Sequence, residues 1–575
     1  MNNSLILKEC VEEFKNENDL NSPYEDLFEI FCLSQINKKL NLTTDDLNNA
    51  IVDGSNDGGI DSFLILVDDS PINSEEEADA VELSNNSMLK VILGQTKNTN
   101  SFKEDVLNRI FISIDRMFDL EADITSEFNY QVAERTEWFR KLWRKSVRKS
   151  AEISLSFFYS CNANEINESD NFKRKKDQII ERTKKKVQNS NVEFKIYSAS
   201  ELLKLYTLKP VVELELKLKE IPVSVNYGAN SIGYIGVAKI PDYLAFVTDS
   251  DGFIRESIFE ENVRHYQGEI DVNKKIKTTL LSDQERDFWW LNNGVTIIAS
   301  DVGQIGKDLS LKGVQIVNGL QTSFTIGRHY KDIENDTRSV LVKIIKSTDK
   351  TTIDKIISAT NSQTAVNPSL LRATDDVQRK IELFFEQQGY FYDRRKNYYK
   401  NLGKPINKIF SIQGTAQAIH AILNYKPAES RAKPTTLIKT KESYDMIFRE
   451  SINFKSYLNC CLVSRCINDI IKTNPICKED KSLARLFSHH LYRIATAFIT
   501  EKSHPTALDL ENFNINKIND NLYSKCFEYL QNQIDAFTEE STTKNFTSIS
   551  KSGRFDEFLS KSLVDRFNPS KRRTQ

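Results

Sequence analysis

The residues most able to do chemistry lie in the first hundred positions of the chain. The sequence DGGID ends at Asp61, and the sequence QTK ends at Lys97. Side chains alternate along a strand, so Gln95 and Lys97 project to the same side, and a neighbouring strand that begins at Asp61 brings its carboxylate beside them. A carboxylate, an amide oxygen and the Thr96 backbone carbonyl would form an oxygen-rich group suited to Mg²⁺ or Mn²⁺.

A lysine beside such a metal can orient or deprotonate the attacking water and stabilise charge that develops on a phosphodiester. Glycines 58 and 59 would let a phosphate backbone approach closely. The plainer interpretation is that DGGID is a surface turn and QTK an ordinary strand end. The residues therefore leave two readings open, a hydrolytic metal site or local structure.

The elements that would hold these residues form an α/β unit over 1–208. An acidic loop covers 68–82, and Glu104 is expected to close a capping box on a helix that starts near Ser101. The other predicted elements are a helix over 24–39, strands over 60–67, 89–97, 153–161 and 192–198, and a basic helix over 172–187. This order predicts a mixed sheet with helical cover.

Together these features resemble the PD-(D/E)XK nuclease superfamily, in its Mrr-like restriction endonuclease branch, over about the first 200 residues. The resemblance implies a restriction-endonuclease-like sheet and an Mg²⁺ or Mn²⁺ cofactor. It makes Asp61 a metal ligand, Gln95 the second ligand or a water-orienting group, and Lys97 the catalytic lysine. Glu29 on the first helix is the helix-borne acid, with Glu25 one turn earlier as a rival. Gln95 departs from the usual acid, so weaker metal binding or an inactive site are the alternatives.

The net charge of the chain hides a strong segregation. The 575 residues carry 78 Lys plus Arg and 81 Asp plus Glu, a formal charge of −3. Residues 1–70 hold 15 acids and 4 bases, whereas residues 134–187 hold 15 bases and 8 acids. Clustered bases neutralise phosphates without reading sequence, although a solvated helix face is the plainer alternative. The expected DNA-backbone contacts are Arg140, Lys141, Arg144, Lys145, Lys173, Arg174, Lys175 and Lys176.

Three amide-rich stretches, 288–300, 314–323 and 359–371, follow in the middle of the chain. Turn and capping chemistry explains any one of them, but explains three poorly. With NVR at 262–264, the motifs LNNG, IVNGLQT and NSQ resemble the AIPR family, the abortive infection phage resistance proteins of bacteria. More remotely, NGLQT is similar to a signature of proteins related to partition protein B and sulfiredoxin, which implies a nucleotide or nucleic-acid pocket. The pocket residues would be Arg264, Asn293, Asn318, Gln321, Asn361 and Gln363.

The whole chain is expected to be a multidomain α/β and α+β protein. Its parts are the nuclease-like domain at 1–208, a central α+β AIPR domain at 209–410 and a mainly helical domain at 411–575. No signal peptide, 18-residue apolar run or disulfide framework is evident, which predicts a cytoplasmic protein that spans no membrane. A Walker motif is absent, so P-loop ATP hydrolysis is not supported.

The resemblances imply an antiphage metal-dependent endonuclease that acts on DNA in preference to RNA and is regulated by the central domain. A phage-derived trigger and a homodimer with paired active sites are the implied partners. The alternative is an inactive nucleic-acid-binding sensor that signals to a partner protein.

Overall fold

The computed structural model has mixed α/β architecture with several separate sheets. It describes residues 3–568, except 41, 86, 167, 208–212, 228–230, 249–251, 253, 260–270, 283–285, 330–335, 362–375, 395–396, 450, 474–480 and 542.

Five strands of the N-terminal part form one sheet with the order β2-β1-β3-β4-β5. Strand β1 runs antiparallel to β3, whereas β3, β4 and β5 are parallel to one another. The strands are β1 Ser62–Val67, β2 Ser70–Pro71, β3 Met88–Lys97, β4 Glu152–Cys161 and β5 Ser190–Tyr197. The four long strands lie within two residues of their predicted bounds.

Helices cover both faces of this sheet because strand side chains alternate. Val91 and Leu93 of β3 pack in one apolar cluster with α5, α6 and α7, whereas Ile92 packs in another with α1, α2 and α8. The helices are α1 Asn3–Glu17, α2 Tyr24–Ile36, α3 Thr44–Ala50, α4 Glu75–Ala80, α5 Glu104–Met117, α6 Tyr130–Lys149, α7 Asp170–Lys186 and α8 Ala199–Thr207.

Two local predictions for this part are wrong. The acidic loop contains helix α4, whose first turn is capped by the Ser74 side chain. The capping box at Glu104 is absent because α5 begins at Glu104 itself, after an N-cap Lys103 that makes no side-chain cap bond. The Glu104 carboxylate instead accepts a bond from Lys175 at 2.9 Å, which fastens α5 to α7.

The middle of the chain contains two antiparallel or mixed sheets and a short parallel pair. The larger sheet has the order β12-β9-β13-β8-β7, the smaller has β10-β11-β6, and β14 pairs with β15. The strands are β6 Glu213–Leu216, β7 Val223–Tyr227, β8 Ser231–Lys239, β9 Val295–Ala299, β10 Asp301–Ile305, β11 Asp308–Lys312, β12 Gln315–Asn318, β13 Ser339–Lys346, β14 Phe391–Asp393 and β15 Ile409–Ser411. The helices are α9 Ile240–Val247, α10 Asp271–Ser282, α11 Leu320–Arg328, α12 Lys350–Asn361, α13 Asp376–Gln387 and α14 Tyr398–Asn401.

The C-terminal part is helical and has its own apolar core, to which Val377 and Phe385 of α13 also belong. The stretch 481–500 forms two helices with a break at Phe487, whereas 520–540 forms one continuous helix. The helices are α15 Ile412–Ile422, α16 Pro427–Ala432, α17 Pro434–Lys439, α18 Lys441–Ile447, α19 Phe454–Thr473, α20 Lys481–Leu486, α21 Ser488–Thr500, α22 Ala507–Glu511, α23 Asp520–Glu540, α24 Phe546–Ile549 and α25 Gly553–Phe567.

The C-terminal helices pack directly on the N-terminal part. Arg431 pairs with the buried Glu134 of α6 at 2.5 Å, and Gln131 of the same helix donates to the Ser482 carbonyl at 3.0 Å. Ile406 completes the apolar cluster around α1 and α2. Among the described residues, no helix has the length and apolar character needed to cross a membrane.

Candidate active site

Asp61 stands immediately before β1, at the point where that strand meets the end of β3. Ser62 lies opposite Gly94, and the Asp61 N–H donates to the Gly94 carbonyl at 2.8 Å. One step further along this antiparallel register, Asp61 falls beside Gln95. Both residues are 2% exposed, so the register places a carboxylate and an amide together inside the protein.

Three groups of β3 surround the Asp61 carboxylate. The Gln95 side-chain amide donates to Oδ2, and the Thr96 N–H donates to the same oxygen at 2.8 Å. Lys97 Nζ lies 3.6 Å from Oδ1, and its side chain is 40% exposed against 3% for Asp61. The structure therefore brings Asp61, Gln95 and Lys97 together, with Lys97 between the buried carboxylate and solvent. Thr96 donates its N–H to Asp61, whereas the sequence predicted a role for its carbonyl, as a metal ligand.

Two further carboxylates join Asp61. Oxygens of Asp53, Asp57 and Asp61 all lie within 4.8 Å of one another, and Asp53 and Asp57 are half-buried. Neither Asp53 nor Asp57 was predicted to be a metal ligand from the sequence. Their spacing of four residues within a glycine-rich segment was the available signal. A cluster of three carboxylates is a donor set that suits a hard divalent cation.

A tight turn built on Gly58 and Gly59 folds Asp57 back towards Asp61. Both glycines have positive φ, +69° and +81°, and the Gly59 N–H donates to Asp57 Oδ1 at 2.7 Å. A Cβ at Gly58 would lie 2.4 Å from the Phe128 ring, and one at Gly59 would lie 2.9 Å from Arg109 Cβ. Protein side chains thus fill the space where the sequence suggested that a phosphate backbone approaches. The glycines serve the turn and its packing.

Glu29 of α2 is the fourth acid of the site. Its side chain is buried, whereas that of its rival Glu25 is exposed. Burial raises the pKa of Glu29 well above its usual value, the Asp61 and Asp53 charges raise it further, and the Arg485 guanidinium opposes them. Among the described residues, neither Glu29 Oε1 nor Asp61 Oδ1 has a hydrogen-bond partner. Such buried oxygens call for a proton or a cation.

The ionisation of Asp61 predicts how stability changes with pH. Burial raises the pKa of Asp61 to about 7, and the nearby Lys97 charge opposes the rise. The folded protein therefore holds this proton at pH values where the unfolded chain has lost it, so the free energy of unfolding falls as pH rises from about 4 to about 7.

In a chelating buffer, Asp61→Asn is expected to unfold at a higher temperature than the wild type at pH 8 and at a similar temperature at pH 4. The exposed Asp105→Asn serves as control, because it should follow the wild type at both pH values. Equal melting curves for Asp61→Asn and the wild type at pH 8 would contradict this account.

Two cations from helix α20 reach this acidic group, and we refer to Lys481 and Arg485 as the α20 clasp. Arg485 Nη1 donates to the Asp53 carbonyl at 2.8 Å. Lys481 Nζ lies 3.8 Å from Asp53 Oδ2 and 4.0 Å from Asp26 Oδ1. No local pattern could have revealed the clasp, because more than 400 positions separate its residues from Asp53. The charges of the clasp partly balance the carboxylates, since they oppose the rise in the pKa of Asp26 and Glu29.

The first basic run, on α6, contains both buried and exposed residues. Arg140 is 2% exposed and donates to the carbonyls of Met117 at 3.0 Å, Ala122 at 2.9 Å and Arg116 at 2.7 Å. Lys145 donates to three carbonyls at the end of α4. We therefore correct the expectation that Arg140 contacts DNA, since its buried guanidinium group donates hydrogen bonds to three backbone carbonyls.

The remaining residues of the two runs differ in their availability. Lys141 pairs with Glu75 and Asp79, and the exposed Arg144 donates to the Leu120 carbonyl. On α7, Lys175 pairs with Glu104 and Lys176 with Glu168 at 2.7 Å. Lys173 and Arg174 are exposed, as are Lys184 and Lys185 further along the helix. Exposed positive charge therefore lies on α7 and also at Arg144, Arg148 and Lys149 of α6.

The α7 surface yields a prediction about salt dependence. Lys173→Glu combined with Arg174→Glu is expected to weaken DNA binding whatever the sequence, and to reduce the slope of log K against log salt by roughly 1 to 2, since each neutralised phosphate contributes about 0.9. Binding would be followed by fluorescence anisotropy at several salt concentrations. The exposed pair Lys455→Glu with Lys525→Glu, on C-terminal helices, is the control. An unchanged slope in the α7 variant would make this helix an ordinary solvated face.

The amide-rich motifs of the middle sheet meet at the start of α11. Asn292 donates to Thr322 Oγ1 at 3.2 Å, and a Cβ at Gly319, where φ is +99°, would lie 3.1 Å from the Gly294 carbonyl. These contacts hold LNNG and VNGLQT together, and sequence reasoning omitted Asn292 and Thr322.

The predicted pocket residues have varied positions. Asn293 is exposed, Gln321 is buried, and Asn318 donates to the Thr360 carbonyl at 2.8 Å. Asn361 is the last residue of α12, and nothing is described of its side chain. Arg264 and Gln363 lie outside the described residues. A pocket formed by all six therefore remains a prediction.

The fold and the site define a mixed α/β protein with a buried carboxylate group beside a lysine. The family model described as AIPR protein matches residues 259–547, just over half of the chain, and the chain belongs to the AIPR family. Membership implies a role in abortive-infection defence against phage. The match extends beyond the expected central domain and includes α20. No curated protein and no solved structure matches the chain.

Proposed function

We propose that the N-terminal part is a metal-dependent endonuclease of the PD-(D/E)XK superfamily, in its Mrr-like branch, and that it hydrolyses phosphodiester bonds in DNA. The main support is the meeting of Asp61, Gln95 and Lys97 at the paired ends of two strands, next to Asp53 and Asp57. A role in defence against phage is consistent with an enzyme that destroys nucleic acid.

The residues present fit a divalent cation. Asp61, with Asp53 and Asp57, would hold Mg²⁺ or Mn²⁺, and Gln95 would add a neutral oxygen. Asp61 Oδ1 and Glu29 Oε1 are buried oxygens without hydrogen-bond partners among the described residues, so they suit a positive ligand. When bound, the cation would polarise a phosphoryl oxygen and lower the pKa of a bound water.

Lys97 is the proposed catalytic lysine. Its ammonium group is tied to the buried Asp61 at 3.6 Å while much of its side chain meets solvent. From there it can hold the attacking water in line with the phosphorus and stabilise charge that develops on the phosphate oxygens. Exposed bases on α7 would hold the nucleic-acid backbone.

The AIPR region is proposed to regulate this site through the α20 clasp. The clasp residues belong to the segment that matches the family and contact Asp53 and Asp26 directly. A cation placed beside carboxylates competes electrostatically with a divalent metal. Movement of α20 would therefore change metal affinity without any change in the N-terminal part itself.

The clasp gives a measurable prediction. Lys481→Met is expected to tighten Mn²⁺ binding about tenfold, because the ammonium charge near Asp53 no longer repels the metal ion. A tenfold change in affinity corresponds to about 1.4 kcal/mol of binding free energy. Mn²⁺ affinity can be measured by electron paramagnetic resonance of free Mn²⁺. The exposed Lys455→Met should leave the affinity unchanged. Equal affinities for Lys481→Met and the wild type would remove Lys481 from this regulatory role.

An inactive nucleic-acid-binding sensor is the second candidate. It is favoured by Gln95, whose amide group donates a hydrogen bond to Asp61. An acid at this position would instead supply negative charge and a second anionic metal ligand. In that case the N-terminal part would bind nucleic acid without cleaving it, and the AIPR region would signal to a partner protein.

One experiment separates the two candidates. The full-length protein would be incubated with supercoiled plasmid DNA and with single-stranded RNA, in Mg²⁺, in Mn²⁺ and in EDTA. Cleavage of DNA that requires metal and stops in EDTA supports the nuclease, and cleavage of RNA alone would reassign the substrate. Binding without cleavage under every condition would favour the sensor.

A further inference from the structure

A polar cavity of about 630 Å³ lies between the N-terminal part and the C-terminal helices. Helices α3 and α6 form one wall, and α15, α19, α20 and α21 form the others. This volume falls within the range of pockets that hold small molecules of nucleotide size. The cavity is distinct from the Asp61 site, although Arg485 lines it and also contacts Asp53.

Seven cations among the described residues line this cavity: Arg135, Arg394, Arg431, Arg465, Lys472, Arg485 and Lys551. Arg431 Nη2 bonds to Glu134, but its Nη1 is buried and has no hydrogen-bond partner among the described residues. A buried N–H donor of a guanidinium without an acceptor is costly, and a bound anion would satisfy it.

The cations also repel one another. Burial, together with the charges of Arg431 and Arg485, lowers the pKa of Arg135 to about 10, although Glu134 opposes the change. Burial and the Arg431 charge lower the pKa of His489 to about 3, which keeps this wall residue neutral. Positive charge is thus concentrated on residues that are themselves largely buried.

The carboxylates of the wall do not fully offset this charge. Asp46 is engaged in the capping box of α3, and Asp45 accepts a bond from Ser411. Burial raises the pKa of Asp45 and of Asp469, and it raises that of Asp393 to about 7. Two wall acids pair directly with cavity cations: Glu134 with Arg431 and Lys551, and Glu75 with Lys551.

We propose that this cavity binds a phosphate-bearing small molecule of nucleotide size, with its phosphates on Arg135, Arg431 and Arg485. Guanidinium groups match phosphate oxygens in fork geometry, and two or three of them suit a di- or triphosphate. The wall residues Gln413 and Asn468 offer amides that could meet the polar edge of a base.

Occupation of the cavity would also act on the acidic site. The same Arg485 guanidinium serves both places, so phosphates that attract it would weaken its bond to the Asp53 carbonyl. This second step rests on the proposed function, whereas the binding step does not. The ligand would then regulate the site through the α20 clasp.

The test uses isothermal titration calorimetry of the full-length Lys97→Ala variant in EDTA, so that neither metal nor cleavage is involved. ATP and inorganic pyrophosphate are the two probes. We expect binding of at least one probe, and at least tenfold weaker binding when Arg431→Gln is added. The exposed Arg554→Gln, at the start of α25, should bind as the parent does.

The result also identifies the source of the phosphate. Stronger binding of ATP than of pyrophosphate supports a nucleotide, and similar binding of both supports a simple polyphosphate ligand. Arg431→Lys keeps a positive charge beside Glu134 but lacks the paired N–H donors of a guanidinium group, so this variant should also bind the probes weakly. It serves as the second variant if Arg431→Gln does not fold. No binding of either probe, or undiminished binding in a folded Arg431 variant, would overturn the proposal. Because cleavage plays no part, this outcome is separate from that of the nuclease assay.

Discussion

Replacement of Lys97 with alanine is expected to lower metal-dependent cleavage of plasmid DNA at least a hundredfold while the protein still folds and binds DNA. Loss of one group that orients a nucleophile or stabilises transition-state charge typically has an effect of about 10² to 10⁴. Lys97 is 40% exposed at its side chain and makes one ion pair, at 3.6 Å, so little packing is lost. Initial rates of plasmid nicking at saturating Mn²⁺ would measure the effect.

The matched control is Lys90→Ala, a lysine on the same strand β3 at a half-buried position remote from Asp61. Its cleavage rate should stay within a few-fold of the wild type. If Lys97→Ala retained the wild-type rate, the lysine would have no catalytic role and another group would have to supply the positive charge.

A second large effect is expected for Arg140→Met, on stability. The methionine keeps apolar volume but leaves the carbonyls of Met117 and Ala122 without their donor, and it removes one of the donors to the Arg116 carbonyl. Each buried acceptor left unpaired costs about 1–3 kcal/mol, so the free energy of unfolding should fall by about 3–5 kcal/mol. Trp138 and Trp143 lie on the same helix, so tryptophan fluorescence in a urea titration can follow the loss.

Arg148→Met, at an exposed position of α6, should change the unfolding free energy by less than about 0.5 kcal/mol. The salt dependence of DNA binding by folded Arg140→Met should match the wild type. If Arg140→Met bound DNA more weakly and kept the wild-type stability, Arg140 would be a phosphate contact after all.

The sequence was most informative where function depends on short-range pattern. The alternation of Gln95 and Lys97 along one strand, and the position of Asp61 before the next, were enough to predict that these side chains meet. The four long strands of this sheet were predictable for the same reason, since their apolar runs end at clear breakers. The wider fold, including the helical core that begins before residue 411, was less accessible.

Other features of the site depend on direction or on long-range contact. The basic run on α6 has the composition of a phosphate-binding helix, but Arg140 faces the interior, and charge counts cannot tell an inward from an outward face. Asp53 and Asp57 depend on a turn with two positive-φ glycines, whose path is set by packing against Phe128 and Arg109. Lys481 is brought to Asp53 only by the docking of α20, which no local spacing encodes.

The docking of α20 has a consequence for how such a protein can be rearranged. Its acidic centre is completed by residues from two distant stretches of chain, and Ile406 fills a core that residues 7–202 otherwise build. The first two hundred residues therefore do not form a cassette that could be grafted onto another defence protein with its properties intact. A recombinant that exchanged only this segment would expose apolar surface and leave Asp53 and Glu29 without Arg485. The site is preserved when the N-terminal part and the C-terminal helices that contact it are inherited together.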